Sequence, residues 1–88
     1  MPKTDLNLSP TVRLALDAIE RAPAEIASLA IHDYVNARLP WLSRVLYGIG
    51  STWYDLRSLE DHGLIVRREV KGGYQRGGRP LYFFRVAR

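Results

Sequence analysis

The stretch STWYDLRS, residues 51–58, sets Ser51, Thr52, Tyr54, Asp55, Arg57 and Ser58 within eight positions. Hydroxyls both donate and accept hydrogen bonds, a carboxylate only accepts, and a guanidinium only donates. Groups of this kind can meet the edges of bases in a major groove, with Arg57 in reach of a phosphate. Asp55 is the awkward member. Its charge repels phosphate, although it could accept from a cytosine amino group or pair with a nearby arginine. A second cluster lies in KGGYQRGGRP, residues 71–80, where Lys71, Arg76 and Arg79 stand among four glycines and a proline. Glycine lets the backbone come close to a sugar-phosphate chain, and basic side chains there suit phosphate or the minor groove. Tyr74, in the same loop, is either a stacking group or an apolar anchor.

Other chemistry is poorly served. His32 and His62 are 30 residues apart, with no third ligand at metal spacing. The pairs His32-Asp33 and Asp61-His62 are neighbours in the chain, and adjacent helical residues do not face each other. GIGST, residues 48–52, lacks the lysine of a phosphate-binding loop. No enzyme, metal or cofactor is expected.

The surrounding elements must position the two clusters. Ser51 is the expected N-cap of a helix over 52–62, with Trp53, Leu56 and Leu59 on its buried side. Ser51, Thr52, Tyr54, Asp55 and Ser58 are then expected on its free side. Gly63 suits the left-handed position after the helix, and Leu64 the apolar contact that accompanies it. LIVRREV reads as a strand and LYFFRVA as another, so the basic loop joins a hairpin. Alternation puts Phe83 and Phe84 on opposite faces. Upstream, Ser9-Pro10 starts a first helix whose inner residues are Val12, Ala15, Leu16 and Ile19. Ala22-Pro23 ends it. A second helix is expected over about 24–38, with Ile26, Leu29, Ala30 and Val35 inside. PWLSRVLYGIG, residues 40–50, reads as a partly helical connection whose Trp41, Leu42, Val45 and Leu46 pack on the core. Trp41, Trp53, Tyr82, Phe83 and Phe84 are expected to be core aromatics rather than stacking groups for single strands.

Eighty-eight residues with 47% hydrophobic content support one small folded domain. Residues 1–8 are read as an arm and 9–88 as the domain. There is no cysteine, which fits a reducing compartment. No apolar run reaches the length of a membrane span, and no signal core opens the chain. A cytoplasmic protein is expected. Charge is uneven. Residues 1–66 carry six basic and eight acidic side chains, a balance of −2, and residues 67–88 carry seven against one, a balance of +6. Such an asymmetry attracts polyanions.

Three helices, a strand, a basic loop and a strand make an α+β fold of winged helix-turn-helix type, with a two-stranded antiparallel wing. GSTWYDLRSLEDHGLIVRR followed by GGRPLYFFRV resembles the PadR-like transcriptional regulators of the MarR/PadR superfamily. Gly50, Thr52 and Tyr54 approach the family's start of the recognition helix. Leu56, Leu59, Glu60, Gly63, Leu64 and Ile65 match its finish, and Gly78, Arg79 and Pro80 its wing. Ser51 and Trp53 depart from the pattern. So does the end of the chain at Arg88, where the family usually has a C-terminal dimerisation helix. A dimer would therefore use the first helix, the arm or the second helix.

The resemblance implies a sequence-specific regulator of double-stranded DNA, a repressor by expectation, binding an inverted repeat as a homodimer. The expected DNA contacts are Ser51, Thr52, Tyr54, Asp55, Arg57, Ser58, Lys71, Arg76 and Arg79. The alternative is a protein–protein interaction module without specific DNA binding, which the acidic Asp55, Glu60 and Asp61 favour.

Overall fold

The computed structural model describes residues 8–74 and 80–87; for Lys71, Gly73, Tyr74 and Pro80 it describes the backbone alone. The chain runs α1 (Pro10–Arg21), β1 (Ile26–Ala27), α2 (Ser28–Arg38), α3 (Trp41–Leu46), α4 (Ile49–Asp61), β2 (Ile65–Tyr74), β3 (Pro80–Val86). Among the described residues the fold is α+β, with four helices where three were expected and an open antiparallel sheet of three strands, order β1-β3-β2, where a two-stranded hairpin was expected.

α1 begins as its sequence requires. The Ser9 hydroxyl accepts from the Val12 amide at 3.4 Å, and Pro10 fills the first turn, where its missing N–H costs nothing. Val12, Ala15, Leu16, Ala18 and Ile19 form its buried stripe. On the outer side Arg21 pairs with Asp17 at 3.0 Å, one turn apart. The Tyr34 hydroxyl of α2 also donates to Asp17. That hydrogen bond first, and Arg21 after it, holds the Asp17 carboxyl below its usual range.

α2 starts later than its sequence suggests. Ile26 and Ala27 are drawn into the sheet opposite Phe84 and Phe83, so the segment before Ser28 is extended. Sheet pairing overrides local helical preference here. The inner face also differs. Ser28, Ile31 and Val35 are buried, whereas Leu29 and Ala30 are exposed. The helix is thus rotated from the expected setting.

The β2–β3 hairpin has the expected antiparallel pairing, from Ile65↔Val86 to Val70↔Leu81. β2 then continues to Tyr74 through a register irregularity after Val70. Gly72 sits there at φ +75°, a conformation that suits glycine. Phe84 is fully buried in the core with Ile19, Ile31, Val35, Leu56 and Leu59. Phe83, on the opposite face, lies beneath Arg68. Trp53 and Tyr82 are half-buried against this core, their rings edge-on at 5.5 Å.

α3 departs most from expectation. Trp41, Leu42, Val45 and Leu46 do not pack on the core; none of its six residues is buried. The short helix is held at its ends and by its polar side. Tyr47, directly after it, turns into the core. Asn36 donates to the Arg44 carbonyl at 3.2 Å, and the Arg44 guanidinium donates to the Leu39 carbonyl at 3.1 Å.

Candidate nucleic-acid interface

α4 carries the first predicted cluster. It begins two residues before Ser51, with Gly48 at the N-cap and Gly50 inside its first turn. Ser51 is therefore a helical residue, not the cap. Leu56 and Leu59 are fully buried and fix the helix to the core. Its far end closes as the sequence indicates. The Leu64 amide donates to the Leu59 carbonyl at 3.1 Å, and the Gly63 amide to the Glu60 carbonyl at 2.9 Å. Gly63, at φ +71°, takes the left-handed position of this Schellman turn. The turn passes straight into β2, so the helix end and the hairpin are joined by a short hydrogen-bonded corner.

The structure divides the predicted cluster in two. Ser51, Tyr54 and Arg57 are exposed, Tyr54 at 79%, and Ser58 is half-buried beside them. Tyr54, Arg57, Ser58, Asp61 and His62 line one shallow depression on this outer face. Thr52 and Asp55 point the other way and are buried, which corrects their expected place on the free face. The signal lay in the spacing: Thr52 precedes Leu56 by four positions, and Asp55 precedes Leu59 by four, so each shares the inward stripe. Their polarity is met inside. Thr52 Oγ1 lies 2.8 Å from His32 Nδ1. The His32 ring stacks on Tyr47, centroids 5.5 Å apart and nearly parallel. The Tyr47 hydroxyl donates to Asp55 Oδ2 at 3.1 Å. This chain of polar contacts joins α2, the residue after α3, and α4.

Burial acts on both acids of the cluster. It raises the Asp55 carboxyl above its usual range, against the opposing hydrogen bonds from Thr11 and Tyr47. It pushes the Tyr47 phenol up to about 12. His32 is thus used in holding helices together, and His62 Nδ1 sits 2.8 Å from the Ser58 carbonyl of its own helix. No group of three or more potential metal ligands occurs among the described residues.

The arginines that open the hairpin are engaged with acids. Arg67 pairs with Glu60 of α4 at 3.3 Å and lies over the Tyr82 ring. Arg68 forms a two-pronged pair with Glu25, at 2.8 and 2.9 Å. It reaches Glu25 across Phe83 of the central strand, whose ring it covers. The hydrogen bond from Arg68 lowers the Glu25 carboxyl below its usual range. The local charge of residues 67–88 is therefore partly neutralised by acids from elsewhere in the chain. Arg57 remains exposed on the outer face, lining with Trp53, Glu60, Asp61 and Arg67 a cleft of about 350 Å³.

No family model, curated protein or solved structure matches the chain.

Of the second predicted cluster, Arg76 and Arg79 lie outside the described residues, as does most of the N-terminal arm, and Lys71 is described by its backbone only. Its backbone continues the β2 strand. Among the described residues no helix is long and apolar enough to cross a membrane.

Proposed function

We propose that the chain is a sequence-specific double-stranded-DNA-binding transcriptional regulator of winged helix-turn-helix, PadR-like type. α4 is its recognition helix and the β2–β3 hairpin its wing. One observation carries the reading. α4 is clamped to the core by Leu56 and Leu59, yet its outer face offers Ser51, Tyr54, Arg57 and Ser58 to solvent. The Schellman turn leads that same helix directly into the hairpin. A rigidly mounted helix with free hydrogen-bonding groups suits a major groove, and a basic hairpin beside it suits the flanking phosphates.

The reading changes the assignment within the helix. Ser51, Tyr54 and Ser58 take the base edges, and Arg57 a phosphate. Thr52 and Asp55 position α4 from within. Lys71, Arg76 and Arg79 supply backbone contacts from the wing. The expected site is an inverted repeat, bound by two copies in the cytoplasm, and the expected outcome is repression.

Selection of bound sequences from a random DNA pool tests this. An enriched palindrome supports the reading. Gel shifts at two salt concentrations add the electrostatic signature, since affinity falls with salt in proportion to the phosphates contacted. Absence of any shift at low salt rejects it and leaves the second reading, a protein-interaction module. That second reading draws on the exposed apolar side of α3.

A further inference from the structure

α3 reverses the usual rule for a surface helix, in which the apolar stripe faces the core. Its apolar side chains fall at positions 41, 42, 45 and 46, two i,i+4 pairs on one side of the helix. All four are turned to solvent: Trp41 is 73% exposed, Leu42 62%, Val45 75% and Leu46 79%. On the other side Arg44 ties the helix back: its carbonyl accepts from Asn36 and its guanidinium donates to the Leu39 carbonyl, while Ser43 is exposed. The helix is thus fastened by its polar face and presents its apolar one. Isolated exposed leucines are ordinary, whereas a contiguous apolar patch marks a contact surface.

We propose that this stripe is the interface between two copies of the chain, paired about a two-fold axis through α3. Area is the first argument. The four exposed residues form a contiguous patch of the size, roughly 300–600 Å², that marks a contact surface on a monomer, so two copies pressed together approach the threshold of about 1,000 Å² for a specific interface. Charge is the second. A two-fold axis brings each residue near its own kind, so a self-pairing patch must avoid like charges at its centre. This stripe contains no charged side chain. An antiparallel crossing would set Trp41 of each copy against Leu46 of the other, a large aromatic anchor of the type that dominates interface energetics. The proposal differs from the expectation that a dimer would use the first helix, the arm or the second helix. It goes beyond the DNA reading and stands without it.

The test is the mass of the full chain in solution, measured without DNA, for the wild type and for Leu46→Glu. Leu46 makes no core contact to lose, so the variant should keep the wild-type helix content by circular dichroism. The wild type should sediment at twice the 10.0 kDa chain mass. Leu46→Glu should sediment at the chain mass, its dimer weakened by roughly 30-fold or more, as for loss of an interface hot spot. The absence of native cysteine allows a second measurement. Val45→Cys should form a disulfide-linked dimer on mild oxidation, and Ser43→Cys, on the opposite side, should not. A monomeric wild type overturns the proposal and gives the stripe to a different partner. So does a Leu46→Glu variant that remains dimeric, or cross-linking that is equal from positions 43 and 45. DNA binding by a monomeric wild type would reject the interface and keep the DNA reading; a dimer that binds no DNA would do the reverse.

Discussion

α3 and α4 are consecutive helices with opposite habits. α3 is mostly apolar and buries none of its residues. α4 is mixed in polarity, yet it buries Thr52 and Asp55 together with Leu56 and Leu59. Hydropathy alone would place the first helix inside and the polar residues of the second outside. The difference lies in how each helix is held. α4 is long enough for positions 52, 55, 56 and 59 to form one stripe against α1 and α2, and that stripe goes in whatever its members are. α3 has less than two turns between Pro40 and Tyr47 and is fixed by its ends, so its orientation follows from its connections.

Leu59→Ala should expose the contrast most strongly. Leu59 is fully buried, and its truncation should lower unfolding free energy in denaturant titrations by about 2–5 kcal/mol. Leu46→Ala, measured where the chain is dilute and monomeric, should stay within about 0.5 kcal/mol of wild type. Equal losses at the two positions would break the distinction between α3 and α4.

Thr52→Val should cost about 1–3 kcal/mol of stability, because it removes the partner of His32 in a part-buried contact. Ser51→Ala and Tyr54→Phe, on the outer face, should leave stability within about 0.5 kcal/mol and weaken binding to a selected DNA site instead. A Thr52→Val variant of wild-type stability with lost DNA specificity would return Thr52 to the interface.

Asp55 sharpens the comparison through pH. Its carboxyl is raised in the folded state, so the native protein holds this proton more tightly than the unfolded chain. The group therefore favours folding at low pH and costs stability as pH rises through its unfolded value of about 3.9 and on through the folded one. Asp55→Asn should gain stability relative to wild type across that interval and hold the gain at neutral pH. A difference that shrinks as pH rises would contradict the burial of this carboxyl.

The smallest effect concerns the sheet. Glu25 is lowered by Arg68, so its contribution is present above the ordinary carboxylate range and lost as pH falls through the folded value. Glu25→Gln should flatten the acid side of the stability profile slightly, as read by thermal melts between neutral and acid pH. A pair this exposed contributes little, and salt should reduce it further.

Local signals in the sequence determined a good part of the molecule. Ser9-Pro10 begins α1, Gly63-Leu64 closes α4, and the glycine-rich stretch separates two strands that pair antiparallel, because each of these depends on backbone geometry within a few residues. The burial of Leu56 and Leu59 was equally legible from apolar periodicity, whereas alternation set Phe83 and Phe84 on opposite faces without deciding which of them is the core residue. Even the inward turn of Thr52 and Asp55 was written in their spacing from the leucines, although their polarity pointed the other way. Tertiary structure alone decided the rest. Ile26 and Ala27 became a strand because Phe83 and Phe84, nearly 60 positions on, offered backbone partners. Arg67 and Arg68 are paired with acids because folding brought Glu60 and Glu25 beside them. The apolar side of α3 was left in solvent because its end connections and the contacts of Asn36 and Arg44 turned it outward. These outcomes depend on distances between residues remote in sequence, which no local pattern records.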